Sequence, residues 1–113
     1  MNSIVIYKDK QGNWCGFESC GHIGEYDEEA GQYSLVCCAL SMHLQTIAYS
    51  LEKHMDLVKL IRDDEAGYLK VIFKGDSPLL LGIETVFLNG LTLLKEDYKK
   101  YLKVHEEEVE YHV

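Results

Sequence analysis

Proline occurs once in the 113-residue chain, and no segment is rich in proline, glycine and serine together. Nothing therefore reads as a linker, and no period marks a repeat. Nowhere do eighteen apolar residues follow one another, so no transmembrane helix is expected. Met1 to Tyr7 lack a basic segment ahead of an apolar run of signal-peptide length. The expectation is a protein with no membrane contact and no export, working in the cytoplasm.

Basic residues are the scarcer charge, 11 Lys and Arg against 19 Asp and Glu, for a formal net charge of −8. Affinity for a phosphate backbone comes largely from Lys and Arg releasing counterions, so direct nucleic-acid binding is not expected. A basic partner is favoured instead, by a weak long-range bias. The four cysteines read as thiols, because a chain without an export signal stays in a reducing compartment. Cys37 and Cys38 are adjacent, which suits a disulfide framework poorly. With 47% hydrophobic residues the chain closes one core without a staple, and residues 1–113 form one domain.

Ile4 to Tyr7 is a β-branched and aromatic run, and the turn centred on Gln11-Gly12-Asn13 leads into a second strand, Trp14 to Cys20. From Gly21 to Gln32 three glycines surround the acidic Asp27-Glu28-Glu29, a loop expected to be mobile. Val36, Leu40, Leu44, Ile47 and Leu51 then fall on one stripe at helical spacing, so a helix runs from Leu35 to about Lys53, with Ser34 as its N-cap. Leu57–Ile61 and Tyr68–Phe73 flank a turn and form another hairpin. Ser77-Pro78 opens a second helix, carried by Leu80, Ile83, Val86, Phe87, Leu91 and Leu94 to about Asp97. Tyr101–Val104 is a last strand, and Glu106–Glu110 a solvated acidic tail. The fold class is α/β: a two-layer sandwich of two helices on an antiparallel or mixed sheet of four to five strands.

Cys37 stands third in the first helix, where free amides and the helix dipole favour a thiolate. At about 100° per residue it lies roughly 60° from the centre of the apolar stripe, and Cys38 roughly 160°. Cys37 therefore borders the sheet and Cys38 points away. A cysteine nucleophile needs a base within hydrogen-bond reach. His43, six residues along the same helix, is roughly 9 Å further along the axis and cannot supply it. His54 lies at the far helix end, and His105 and His112 in the C-terminal segment. His22 directly follows the second strand and meets Cys37 if that strand packs under the helix. On spacing alone, an inert core cysteine and a surface histidine fit as well. A zinc site is not expected, since adjacent cysteines chelate poorly. A redox or metal protein using Cys15, Cys20 and Cys37 is the last-ranked rival.

The segments Gly21-His22-Ile23 and Gly31-Gln32-Tyr33-Ser34-Leu35-Val36-Cys37-Cys38-Ala39-Leu40-Ser41 resemble the two signature blocks of the bacterial ribosomal-processing cysteine proteases of the Prp family. Those blocks read G-H-A, then a glycine-bearing acidic loop, then G-x-D-I-V-C-A-A-V-S. Gly67-Tyr68-Leu69 and Tyr98 to Val104 extend the likeness over nearly the whole chain. The resemblance implies a cysteine peptidase with Cys37 as nucleophile and His22 as general base, and Gly21, Gly24, Gly31, Ser34 and Ser41 around the substrate. It also implies a homodimer that removes an N-terminal extension from a large-subunit ribosomal protein, number twenty-seven of that subunit, or acts on a related phage protein. Its partner is a peptide tail, and it needs no cofactor or metal. Ser34 replaces the family's Asp, so a cap is kept but a fixed charge is lost. The alternative is a dimeric peptide-binding module that kept the fold and lost turnover.

Overall fold

The computed structural model describes residues 2–21, 35–63, 67–98 and 102–109. In chain order these form β1 (Asn2–Lys8), β2 (Trp14–Cys20), α1 (Leu35–His54), β3 (Asp56–Asp63), β4 (Tyr68–Lys74), α2 (Leu80–Tyr98) and β5 (Leu102–Glu108). The five strands make one sheet in the order β3-β4-β2-β1-β5. It is mixed: β1–β2, β2–β4 and β3–β4 are antiparallel and β1–β5 is parallel. The expected two-layer α/β class, two helices and both hairpins are all present.

Both helices are crossovers. Because β2 and β3 each run antiparallel to β4, they run parallel to each other, and α1 must carry the chain back along the sheet between them. Likewise β4 and β5 are parallel, and α2 returns the chain from one to the other. Ile4 and Ile6 of β1, Phe17 of β2, Leu69, Val71 and Phe73 of β4 and Leu102 of β5 turn to the helices. From α1 come Leu40, Leu44, Ile47 and Leu51 of the stripe read from the sequence, joined by Ala48; the Val36 side chain lies outside the described residues. From α2 come Phe87 and Leu91, with Leu80, Ile83 and Leu94 half-buried beside them. Val86 departs from expectation, being 58% exposed: one residue from Phe87, it is turned about 100° out of the stripe.

A register shift between Tyr7 and Lys8 places Trp14 opposite Lys8 while Gly16 faces Tyr7. The extra residue lets Trp14 and Phe17, three positions apart, both reach the core. Trp14 stacks on Phe87 at 4.9 Å and meets the edge of Phe73 at 5.0 Å. Its indole N–H donates to the Gly16 carbonyl at 2.8 Å, so no polar group is left unpaired there. Ser77 turns the chain into α2 as expected, its hydroxyl accepting the Leu79 amide at 3.2 Å.

The C-terminal segment differs from its reading. Glu106, Glu107 and Glu108 belong to β5, pairing with Ile6, Tyr7 and Lys8, rather than to a loose tail. The backbone ladder accepts them because their side chains stay exposed at the sheet edge.

His43 fixes the seam between the helices. Its Nε2 lies 3.0 Å from the Phe87 carbonyl, and since a carbonyl only accepts, this nitrogen carries the proton. The ring fills the space above Gly90, where an added Cβ would come within 2.2 Å of Nε2. Gly90→Ala should therefore destabilise the fold by about 1–3 kcal/mol through overpacking. Most of that cost should vanish in a His43→Ala background, an interaction that a double-mutant denaturation cycle measures directly.

Candidate active site

The crossover from β2 to β3 decides where the chemistry-bearing residues stand. Met55 closes the link into β3 tightly, its amide donating to the Leu51 carbonyl at 2.8 Å. α1 therefore runs back over the sheet from the start of β3. Its 20 residues span about 30 Å, against about 26 Å for the eight residues of β3. The first turn of α1 accordingly lies toward the end of the sheet where β2 and β3 finish. Cys37 is the third residue of that helix and Gly21 the first after β2. The carboxyl ends of parallel-running strands, where a helix begins, are a usual place for a ligand site in α/β sheets.

The backbone of Cys37 is helical, with no acidic residue in the first turn to oppose a thiolate. Its side chain, with His22, Gly24, Gly31 and Ser34, lies outside the described residues. Gly21 and Ser41 are described. Ser41 is exposed on α1, four residues after Cys37 and so on the same helical face one turn along. Cys38 is exposed, pointing away from the sheet as its angle predicted. Among the described histidines none stands at this end of α1: His43 is engaged at the helix seam, while His54 and His105 are exposed on other parts of the fold.

The rival built on Cys15, Cys20 and Cys37 cannot bring Cys15 and Cys20 to one site. Cys15 is buried and Cys20 exposed, and five residues of extended strand separate them by about 16 Å. That is beyond disulfide reach or a shared metal. Among the described residues no group of three or more His, Cys, Asp or Glu is placed to hold a metal ion.

Beneath the end of β2, on the face away from the helices, lies a polar network the sequence reading passed over. Glu18 pairs across the ladder with Lys70, and Cys20 with Tyr68. The Tyr7 hydroxyl donates to Glu18, and the Lys70 ammonium sits 3.9 Å from the same carboxylate and 5.3 Å from the centre of the Tyr7 ring. Burial, and then the bond to Glu18, pushes the Tyr7 phenol well above its ordinary value; Tyr68 is raised for the same two reasons. The signal was a glutamate next to the core residue Phe17, on the outward-alternating face of β2 and in register with Lys70 of β4.

A raised folded-state value means that the unfolded chain gives up this proton first. The contribution of Tyr7 is thus fully present below about pH 10, the unfolded value, and is lost as pH climbs above it. An alkaline spectrophotometric titration should show Tyr7 resisting ionisation until the protein unfolds, and Tyr7→Phe should flatten the fall in stability above pH 10.

The family model described as cysteine protease Prp matches residues 1–103. The essential ribosomal processing protease Prp from S. aureus, in complex with a covalently linked product peptide, is similar with a TM-score of 0.75 at 16% identity, over 95% of this chain and 100% of that one. The same protease in complex with a substrate peptide gives 0.76 at 17%, again over 95% and 100%. SMU.848 from Streptococcus mutans gives 0.72 at 21%, over 96% and 99%. No curated protein sequence matches the chain. At such identities the structural likeness speaks for the fold.

Proposed function

The chain belongs to the Prp family of cysteine proteases, and on that footing we propose that it removes an N-terminal extension from a bacterial large-subunit ribosomal protein, with Cys37 as nucleophile and His22 as general base. The observation that carries the assignment is the crossover through α1, which brings the start of that helix to the end of the sheet where β2 gives way to Gly21 and His22. The S. aureus relative, in complex with a covalently linked product peptide, supports it: a cysteine nucleophile passes through such a covalent link.

In the first half-reaction the Cys37 thiolate attacks the scissile carbonyl carbon, forming the C–S bond and placing negative charge on oxygen. Free amides at the start of α1 stabilise that oxyanion, each donor contributing about 3–4 kcal/mol. As the intermediate collapses the C–N bond breaks, and imidazolium His22 gives its proton to the departing amine. In the second half-reaction His22 takes a proton from water, whose oxygen attacks the thioester and frees the carboxylic product and the thiolate. Ser34 stands where the family has Asp, and as residue types the two rank together as helix caps. Gly21, Gly24 and Gly31 let the backbone lie close to an extended peptide, with Ser34 and Ser41 offering hydroxyls.

The partner is a peptide tail, and the acidic balance of −8 favours a basic tail over nucleic acid. The enzyme works as a homodimer in the cytoplasm, where ribosomes are assembled. Leu81, Val86 and Leu93 stand 74%, 58% and 64% exposed on α2, apolar surface of the kind a subunit contact covers. Among the described residues no helix is long and apolar enough to cross a membrane. Incubation with the host's own ribosomal protein, with the new N-terminus read by mass spectrometry, tests the substrate. A single early cut supports it, and an intact ribosomal protein beside a cleaved phage protein moves the target to the latter.

A further inference from the structure

We infer that Gly67 is a positioning residue for the proposed base, holding the exit of β2 through the last rung of the β2–β4 ladder. The inference rests on the Cys37/His22 reading. The ladder runs through Cys20 opposite Tyr68, and one further bond follows it: the Gly21 amide donates to the Gly67 carbonyl at 3.0 Å. It is the last described tie on β2 before His22, the next residue in the chain. Both of its ends are left-handed, with φ of +91° at Gly21 and +66° at Gly67, a conformation open to glycine and costly for residues with a Cβ. The Glu18–Tyr7–Lys70 network braces the same seam just below. With the seam held, a change in the direction of the Gly67 carbonyl passes to Gly21 and so to the residue that follows.

A β-branched residue at position 67 avoids positive φ, which turns the carbonyl away from the Gly21 amide. Asparagine tolerates the left-handed region and keeps the carbonyl where it is. Gly12 supplies the control: its φ is +81°, a Cβ there meets nothing within 4 Å, and it precedes β2 at the opposite end. Gly12→Val therefore carries the same kind of backbone penalty without touching the exit.

The test is the rate at which iodoacetamide alkylates Cys37 at pH 7, read site by site by tandem mass spectrometry, with exposed Cys38 as reference in the same molecule. Gly67→Val should slow Cys37 about tenfold, the effect of raising a thiol by one pKa unit. Gly67→Asn and Gly12→Val should stay within a factor of about two of wild type, which a merely destabilising role for Gly67 does not explain. If Gly67→Val fails to fold, Gly67→Ala takes its place and should still slow Cys37 more than Gly12→Ala does. Equal Cys37 rates in the position-67 and position-12 variants, with His22→Ala slow, overturn the proposal alone. A His22→Ala variant with the wild-type rate overturns the Cys37/His22 reading and the proposal with it.

Discussion

Cys37→Ser should abolish cleavage, with a loss on the order of 10⁴ or more in kcat, while the protein keeps its thermal midpoint. A hydroxyl at this position is not ionised near neutral pH, so the attacking species disappears, and removal of a nucleophile costs about as much as removal of the whole catalytic unit. Cys38→Ala should retain most activity. Cys38 is exposed and faces away from the sheet, so it has neither a base nor a substrate carbonyl to meet. A burst assay with a peptide carrying the ribosomal N-terminal extension separates the two variants. Equal loss from both would show that the pair acts together or that Cys37 was misassigned.

His22→Ala should slow turnover by at least about a hundredfold, the low end of a general-base contribution. His43→Ala should leave kcat within a factor of about two once stability is matched. The contrast follows from what His43 already does: its Nε2 proton is committed to the Phe87 carbonyl at 3.0 Å, and its ring packs parallel to Phe87 at 6.4 Å. Losing it opens a hole at the helix seam, read as a lower unfolding midpoint. A well-folded His43→Ala variant without activity would overturn the choice of base.

The parts of the fold legible in the sequence are those where one periodicity acts alone. In α1, Leu40, Leu44, Ile47 and Leu51 repeat at helical spacing, and all are buried. In β4, Leu69, Val71 and Phe73 alternate with half-buried neighbours. The readings that failed mixed two signals. In β5, Glu106 to Glu108 read as a tail because their side chains carry the information, whereas the parallel partner β1 that makes them a strand is about a hundred residues away. Val86 read as core because it sits beside Phe87, although α2 buries only the stripe through Phe87 and Leu91.

The candidate site was legible in a different way. Spacing left Cys37 and His22 beside blander readings and the family resemblance singled them out, while the pairing of β2 and β3 with β4 explains how the start of α1 comes to the end of the sheet where β2 finishes. Gly67 stood out in the sequence only through the Gly67-Tyr68-Leu69 likeness, and its tie to the exit of β2 was not legible, since a turn glycine's hydrogen-bond partner leaves no local signal. Only the Gly21 to Gly67 bond sets it apart from Gly12.

The most direct measurement is to quench the wild-type protein in acid during turnover of that ribosomal peptide and map the acyl adduct by tandem mass spectrometry. The expected result is one thioester, on Cys37, carrying the N-terminal product and decaying as the free acid appears. An adduct on Cys15, Cys20 or Cys38, or turnover without any cysteine adduct that persists in Cys37→Ser, would contradict it.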